Sequence, residues 1–211
     1  MAETMEGTQV SRRRLRSERK RAAILDAAEA LFVSEGYERT SVDAIAARAM
    51  VSKRTVYDYF EDKQGLFLRV LERVDDALVA AVREAIEQEI TEGRDLREAL
   101  TAFASHVATE TFPSSTYVTF RRLRSPRGAV PPAAEPVRDR PERLLEERFA
   151  RLAAGGQLRV PDPRRAVQHF TALTIALALD ATDDEPAAAA GQAEIAAIIS
   201  DGVDAFLRAY R

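Results

Sequence analysis

The sequence predicts an all-α fold: a three-helix head at the N-terminal end and a helical bundle behind it, about nine helices in all. Three observations carry this. Apolar residues recur at three- and four-residue spacing through most of the 211 residues, with no pair of alternating segments that reads as strands. Ser or Asp stands before many of these runs, and Gly or Pro closes them. Charge is also divided unevenly. The net charge is only −3, yet seven of the Lys and Arg residues fall within Arg12–Arg21, against the single acid Glu18. From Ser11 to Lys63 basic residues outnumber acidic ones by 12 to 9, whereas from residue 64 onward acids lead by 23 to 19. A basic end on an acidic body is the pattern expected when one end meets a polyanion and the other does not.

Bulk composition narrows the class. Apolar residues make up 46% and charged residues 31%, a globular composition with enough length for a real core. There is no cysteine, which excludes disulfides and thiolate metal sites and fits a reducing cytoplasm. No apolar run approaches the ~18 residues of a membrane span. Residues 1–10 carry acid and no apolar stretch, so they are expected to be a mobile tail and not a secretory signal. The division predicted is a head over 11–63 and a body over 64–211.

The first helix is expected from about Glu18 to Ser34. Ile24, Ala27, Ala28, Leu31 and Phe32 make its inner face, and Gly36 stops it. Ser41 caps a second helix that buries Val42, Ile45 and Ala46. Met50-Val51 forms the turn, and Ser52 caps a third helix, Lys53 to Phe60, with Val56 and Phe60 inward. Asp62 caps a long fourth helix with the stripe Leu66, Phe67, Val70, Leu71, Val74, Leu78, Val82 and Ile86, ending by Gly93. Asp95 and Glu98 start a fifth, which carries Leu96, Leu100, Phe103 and Val107. A sixth is expected through Tyr117, Phe120 and Leu123. Five prolines between Ser125 and Pro141 mark a loop. A seventh helix holds Leu144, Leu145, Phe149 and Leu152 and ends at Gly155-Gly156. Asp162-Pro163 begins an eighth, running to about Ala181. A ninth, from about Ala188 to Tyr210, carries Ile195, Ile199, Val203 and Phe206.

Helices two and three are spaced as a helix-turn-helix, in which one helix braces a second that enters the major groove of DNA. The third helix places Lys53 and Arg54 in its first turn, in reach of guanine edges or phosphates, and Thr55 beside a phosphate or a thymine methyl. The N-terminus of the third helix points its free N–H groups toward phosphate, and the caps Ser41 and Ser52 are counted among the DNA-binding candidates. Thr40, Tyr57, Tyr59 and Lys63 suit backbone anchoring, which sets register without reading sequence. Arg14 and Arg16 belong to a basic arm suited to phosphates or a minor groove; the same run also reads as a solvated charged tail.

The head resembles that of the TetR (tetracycline-repressor-like) family. The residues that carry the likeness are Gly36-Tyr37, Thr40-Ser41-Val42, Ile45-Ala46, Ala49, Val51-Ser52, Thr55-Val56-Tyr57, Tyr59-Phe60, Lys63 and Leu66, within about 18–67. Three positions depart from the family's pattern. Met50 stands where Gly is usual, which implies a turn with no need of positive φ. Arg54 stands where Gly is frequent, and Tyr59 where His is common. Behind the head, Phe120-Arg121-Arg122-Leu123 and Gly202-Val203-Asp204-Ala205-Phe206-Leu207 are similar to an AefR-like C-terminal subgroup.

The resemblance implies a homodimeric transcriptional regulator, a repressor that binds a palindromic operator in double-stranded DNA and is released by a small-molecule effector. No cofactor, metal or membrane partner is expected. The fourth helix would join body to head, and its tilt would change the spacing of two recognition helices set roughly 34–36 Å apart. Ala172, Ala176 and Leu179 with Ile195, Ile199, Val203 and Phe206 are the dimer candidates; part of these stripes must be core within one chain. Phe103, His106, Val107, Tyr117, Phe120, Phe149, His169, Phe170 and Leu173 are candidate effector-pocket linings, though each also fits ordinary core or, for the histidines, a satisfied surface. An enzyme is disfavoured, because there is no phosphate-binding Gly loop after a strand and no nucleophile–base pair to place. An effector-independent architectural or division-associated DNA-binding protein is the alternative.

Overall fold

The computed structural model describes residues 2–112, 119, 140–184 and 189–211, all within helices or short connections. Eight helices occur among the described residues: α1 (Ala2–Glu35), α2 (Val42–Arg48), α3 (Lys53–Phe60), α4 (Lys63–Glu89), α5 (Leu96–His106), α6 (Arg140–Ala154), α7 (beginning as Pro163–Thr171) and α8 (Ala189–Tyr210). α5 runs on into a π-helical turn, Val107–Thr111. α7 passes through a second, Ala172–Ala176, and continues as Leu177–Asp184. The chain divides into two compact units: of the described residues, 2–75 and Thr119 belong to the first, and 76–112, 140–184 and 189–211 to the second. The sixth helix expected from sequence, with Tyr117 and Phe120, and the proline-rich loop lie outside the described residues.

The first unit is built on one apolar cluster. Ile24, Ala28, Leu31 and Phe32 of α1, Ile45 of α2, Val56 and Phe60 of α3, and Leu66, Phe67 and Val70 of α4 are all buried in it. The edge-on ring contact of Phe32 with Phe67, at 5.1 Å between centroids, fixes α1 against α4, and Tyr37 packs on both rings. Arg73 of α4 adds a fork to α1, reaching Asp26 at 2.7 Å and Glu29 at 2.5 Å. The caps act as the sequence predicts: Ser41 accepts from the Ala44 N–H, Ser52 from Thr55 and Asp62 from Gly65. α1 differs from expectation: it begins at Ala2 and not near Glu18, so Arg14 and Arg16 lie within the helix and do not precede it. Residues 12–21 hold six arginines with Leu15, Glu18 and Lys20, good helix formers, and no proline breaks the segment.

The turn between α2 and α3 overturns a second expectation. Met50 has φ 54°, with Met50 N–H donating to the Ala47 carbonyl and Val51 N–H to the Ala46 carbonyl. This is the paired bonding of a helix end that places one residue in the left-handed region, usually Gly. α6 ends in the same pattern with Gly156 at φ 73°. The helix end dictates the backbone, and Met50 accepts it with a side chain 91% exposed, where nothing crowds it.

Glu61, between α3 and α4, is the other non-glycine residue at positive φ, 60° with ψ −59°. Asp62 N–H donates back to the Phe60 carbonyl at 2.6 Å, the tight three-residue turn that strains an L-residue. Relief of left-handed strain is worth about 1–2 kcal/mol, and the added unfolded-state freedom of glycine offsets about 0.4–1 kcal/mol of it. Glu61→Gly is therefore expected to raise thermal stability modestly, read as a higher midpoint in a melting curve; a lower midpoint would contradict the strain.

In the second unit, Phe103 of α5, Phe149 of α6, Phe170 of α7 and Phe206 of α8 form a continuous set of ring contacts at 5.3–6.2 Å. Arg97 of α5 holds Asp204 and Ser200 of α8, and Asp162 caps α7 by accepting from Arg165 N–H. The π-turn of α7 packs directly on α8, where Gly202 is buried.

Candidate nucleic-acid interface

α3 separates into two faces. Val56 and Phe60, one turn apart, are buried against the cluster, and Lys53, Arg54, Tyr57 and Asp58 face solvent. The helix begins at Ser52, whose hydroxyl accepts from Thr55 N–H at 3.1 Å and also bonds the Thr55 hydroxyl at 2.8 Å. This holds Thr55 half-buried at the edge of the exposed face. Arg54 stands exposed beside it. Such a short, capped helix braced by α2 offers two cations, an aromatic hydroxyl and a helix N-terminus on one surface, which suits a phosphate backbone and base edges.

Other predicted contacts are arranged differently. Thr40 is 1% exposed, and its hydroxyl donates to the Gly36 carbonyl at 2.8 Å, so it is a strut of the α1–α2 connection and not a phosphate anchor. Lys63 is half-buried; its ammonium lies 4.3 Å from the Tyr37 ring centre and donates to the Glu38 carbonyl. A phosphate contact from Lys63 would require leaving that ring. Tyr59 is half-buried, and its hydroxyl bonds Ser17 of α1 at 2.8 Å, which ties the basic part of α1 to α3. Arg16 is exposed, and Arg14 is exposed while pairing with Glu18 at 3.1 Å. Lys53 pairs with Asp43 of α2 at 2.9 Å, and that bond raises its ammonium above the ordinary lysine range.

Sequence reasoning missed Ser17, Asp43 and Arg21, whose guanidinium sits 5.8 Å from the Phe60 ring centre. Arg21 belongs to the visible basic run; Ser17 and Asp43 meet their partners through tertiary packing, and no local spacing signals that.

Among the described residues, the effector-pocket and dimer candidates lie in the second unit; Tyr117 and Phe120 lie outside the described residues. Phe103, Phe149, Phe170 and Val107 are buried, Leu173 is half-buried, and the three rings belong to the aromatic set already described. His169 is exposed and bonds the Tyr210 hydroxyl at 2.8 Å, which takes it out of any interior lining. His106 sits between two carboxylates, 3.5 Å from Glu89 and 3.9 Å from Glu110. Arg94 hydrogen-bonds Glu89 and lowers its carboxyl below the ordinary value, against the opposing effect of burial, with His106 adding to the lowering.

Of the dimer candidates, Ile199, Val203 and Phe206 are 0% exposed within one chain, so they are core residues and not a contact face. Both sides of α8 are apolar, and the inner side is the one they occupy. Ala172 and Ala176 are exposed, with Ile195 and Leu179 half-buried. Leu177, Ala193, Ala196 and Ala197, which the sequence did not single out, are exposed on α7 and α8. Among the described residues there is no cluster of three or more metal-binding side chains, and no helix is long and apolar enough to cross a membrane.

A family model described as bacterial regulatory proteins, tetR family, matches residues 24–70, and one described as the C-terminal domain of AefR-like transcriptional repressors matches residues 98–211, more than half the chain. The HTH-type transcriptional activator FasR of Mycolicibacterium smegmatis is 41% identical over 43% of this chain and 41% of its own length. The HTH-type transcriptional regulator HbdR of Aromatoleum is 28% identical over 67% of this chain and 61% of its own. The chain thus matches less than two thirds of either relative. A solved TetR family transcriptional regulator from Pseudomonas syringae pv. tomato is 27% identical, with a TM-score of 0.62, covering 90% of this chain and 96% of that one. The structure of the flavonoid-responsive regulator FrrA is 25% identical, with a TM-score of 0.57, covering 92% and 98%.

Proposed function

The chain belongs to the tetR family of bacterial regulatory proteins, and from that premise we propose that it is a cytoplasmic homodimer that binds a palindromic operator and leaves it when a small molecule enters the body. The observation that carries the reading is the exposed Lys53–Arg54–Tyr57 face of a capped helix whose opposite face is locked into a core. A dimer supplies the second copy that a two-fold-symmetric site requires. The head over 11–63 makes the DNA contact, and the body over 64–211 takes the effector and the partner subunit.

Release by a ligand needs differential affinity for two states of the protein. α4 suits the task because one uninterrupted helix runs from the Arg73 fork with α1 into the second unit. The name of FrrA, a flavonoid-responsive regulator, supports a small-molecule effector. The AefR-like description favours repression, although FasR is named an activator. The dimer face proposed is the exposed Ala172, Ala176 and Leu177 of α7 with Ala193, Ala196 and Ala197 of α8. Light scattering is expected to give twice the 23.3 kDa chain mass. A monomer at the concentration that binds DNA would sink the spacing mechanism.

A further inference from the structure

Lys53 opens the recognition helix, and the structure gives its ammonium a partner: the Asp43 carboxylate, 2.9 Å away on α2. Both side chains are largely exposed, at 51% and 68%, so the pair adds little to stability. Its location is more telling. α3 has no acidic residue in its first turn, and a helix N-terminus already carries partial positive charge. Lys53 and Arg54 add two cations there. Any phosphate would be drawn to such an end irrespective of base sequence. Among the described residues Asp43 supplies the carboxylate paired with Lys53, and it occupies the ammonium that a phosphate would need.

Building on the DNA-binding reading above, we propose that Asp43 is a specificity-setting residue, an internal stand-in for phosphate on Lys53 that lowers affinity for DNA of arbitrary sequence. An ammonium paired with a carboxylate neutralises less phosphate charge, because the carboxylate must be displaced or stays beside the DNA, so fewer of the cations condensed on the DNA are released. Without the carboxylate, Lys53 becomes a full phosphate contact on every sequence. Arg54, one residue on and unpaired with Asp43, keeps its role at the bases.

The test needs no operator. Binding of a mixed-sequence duplex is measured against salt for wild type, D43N, K53A and D43N/K53A, with melting curves to confirm that each folds. D43N is expected to bind more tightly, and its plot of log affinity against log salt is expected to steepen by about 0.9. K53A is expected to flatten that plot by about 0.9 in the D43N background and by clearly less in the wild-type background. Equal effects of K53A in the two backgrounds, or a D43N slope matching wild type, would overturn the proposal while leaving DNA binding intact. If neither wild type nor D43N binds DNA at low salt, the DNA-binding reading falls, and this inference falls with it.

Discussion

Gly202→Ala is expected to destabilise the second unit by about 2 kcal/mol or more, although alanine is the better helix former. A Cβ at this position would lie 2.1 Å from the Leu173 carbonyl oxygen and 2.8 Å from its carbonyl carbon. Both are backbone atoms of the π-helical turn, so no side-chain rotation relieves the clash. Gly202 is buried in α8 at the point where α7 crosses it, and Thr174, fully buried in the same turn, is fixed by its bond to the Phe170 carbonyl. Overpacking of a tight core costs typically 1–3 kcal/mol, with backbone displacement at or above the upper end. The gain in helix propensity, about 1 kcal/mol, opposes it without cancelling it. Gly191→Ala, in the same helix, is the internal control. Beyond its own turn of helix nothing lies within 4 Å of its Cβ position, so that substitution is expected to stabilise by about 0.5–1 kcal/mol. A melting curve in which the two variants move in the same direction would contradict the crossing geometry.

Arg54→Ala is expected to weaken binding to a selected operator by about 10- to 100-fold, and binding to unrelated DNA much less. Arg54 is exposed in the first turn of α3, next to the capped N-terminus. A guanidinium there can take a guanine edge with two hydrogen bonds, which is worth about 1–3 kcal/mol of discrimination. Loss of a backbone contact would weaken all sequences alike and reduce the salt slope by about one. The two outcomes are separated by titrating operator and scrambled duplexes at several salt concentrations. Equal losses on both duplexes would move Arg54 from base reading to phosphate anchoring.

Much of the fold is legible in the sequence because its signals are local. Ser41, Ser52, Asp62, Asp95 and Asp162 each accept a bond from a backbone N–H of the helix they precede. Their hydroxyls and carboxylates meet donors two or three residues away, so chain spacing alone reveals them. Val56 and Phe60 are legible for a similar reason: a four-residue interval puts them on one face, and the polar residues between them must turn outward.

The features that escaped depend on packing or on backbone demands that no residue type announces. Met50 adopts a left-handed conformation because the closing bonds of α2 require it, although its side chain is not the usual choice. The π-turns at Val107–Thr111 and Ala172–Ala176 insert a register shift into segments whose apolar spacing still reads as regular helix. Ile199, Val203 and Phe206 share a stripe with no mark of which side meets the subunit's own core. Asp43 and Lys53 are ten residues apart, and Ser17 and Tyr59 forty-two, so only the folded head brings each pair together.

The central claim is that this head reads DNA sequence as one half of a symmetric pair. Its most direct test is to select fragments of the source genome with the purified full-length protein and sequence those retained. Enrichment is expected of a palindrome whose half-sites lie about one helical turn apart, with enrichment lost for Arg54→Ala. Retained fragments that share no motif, or a motif without two-fold symmetry, would contradict it.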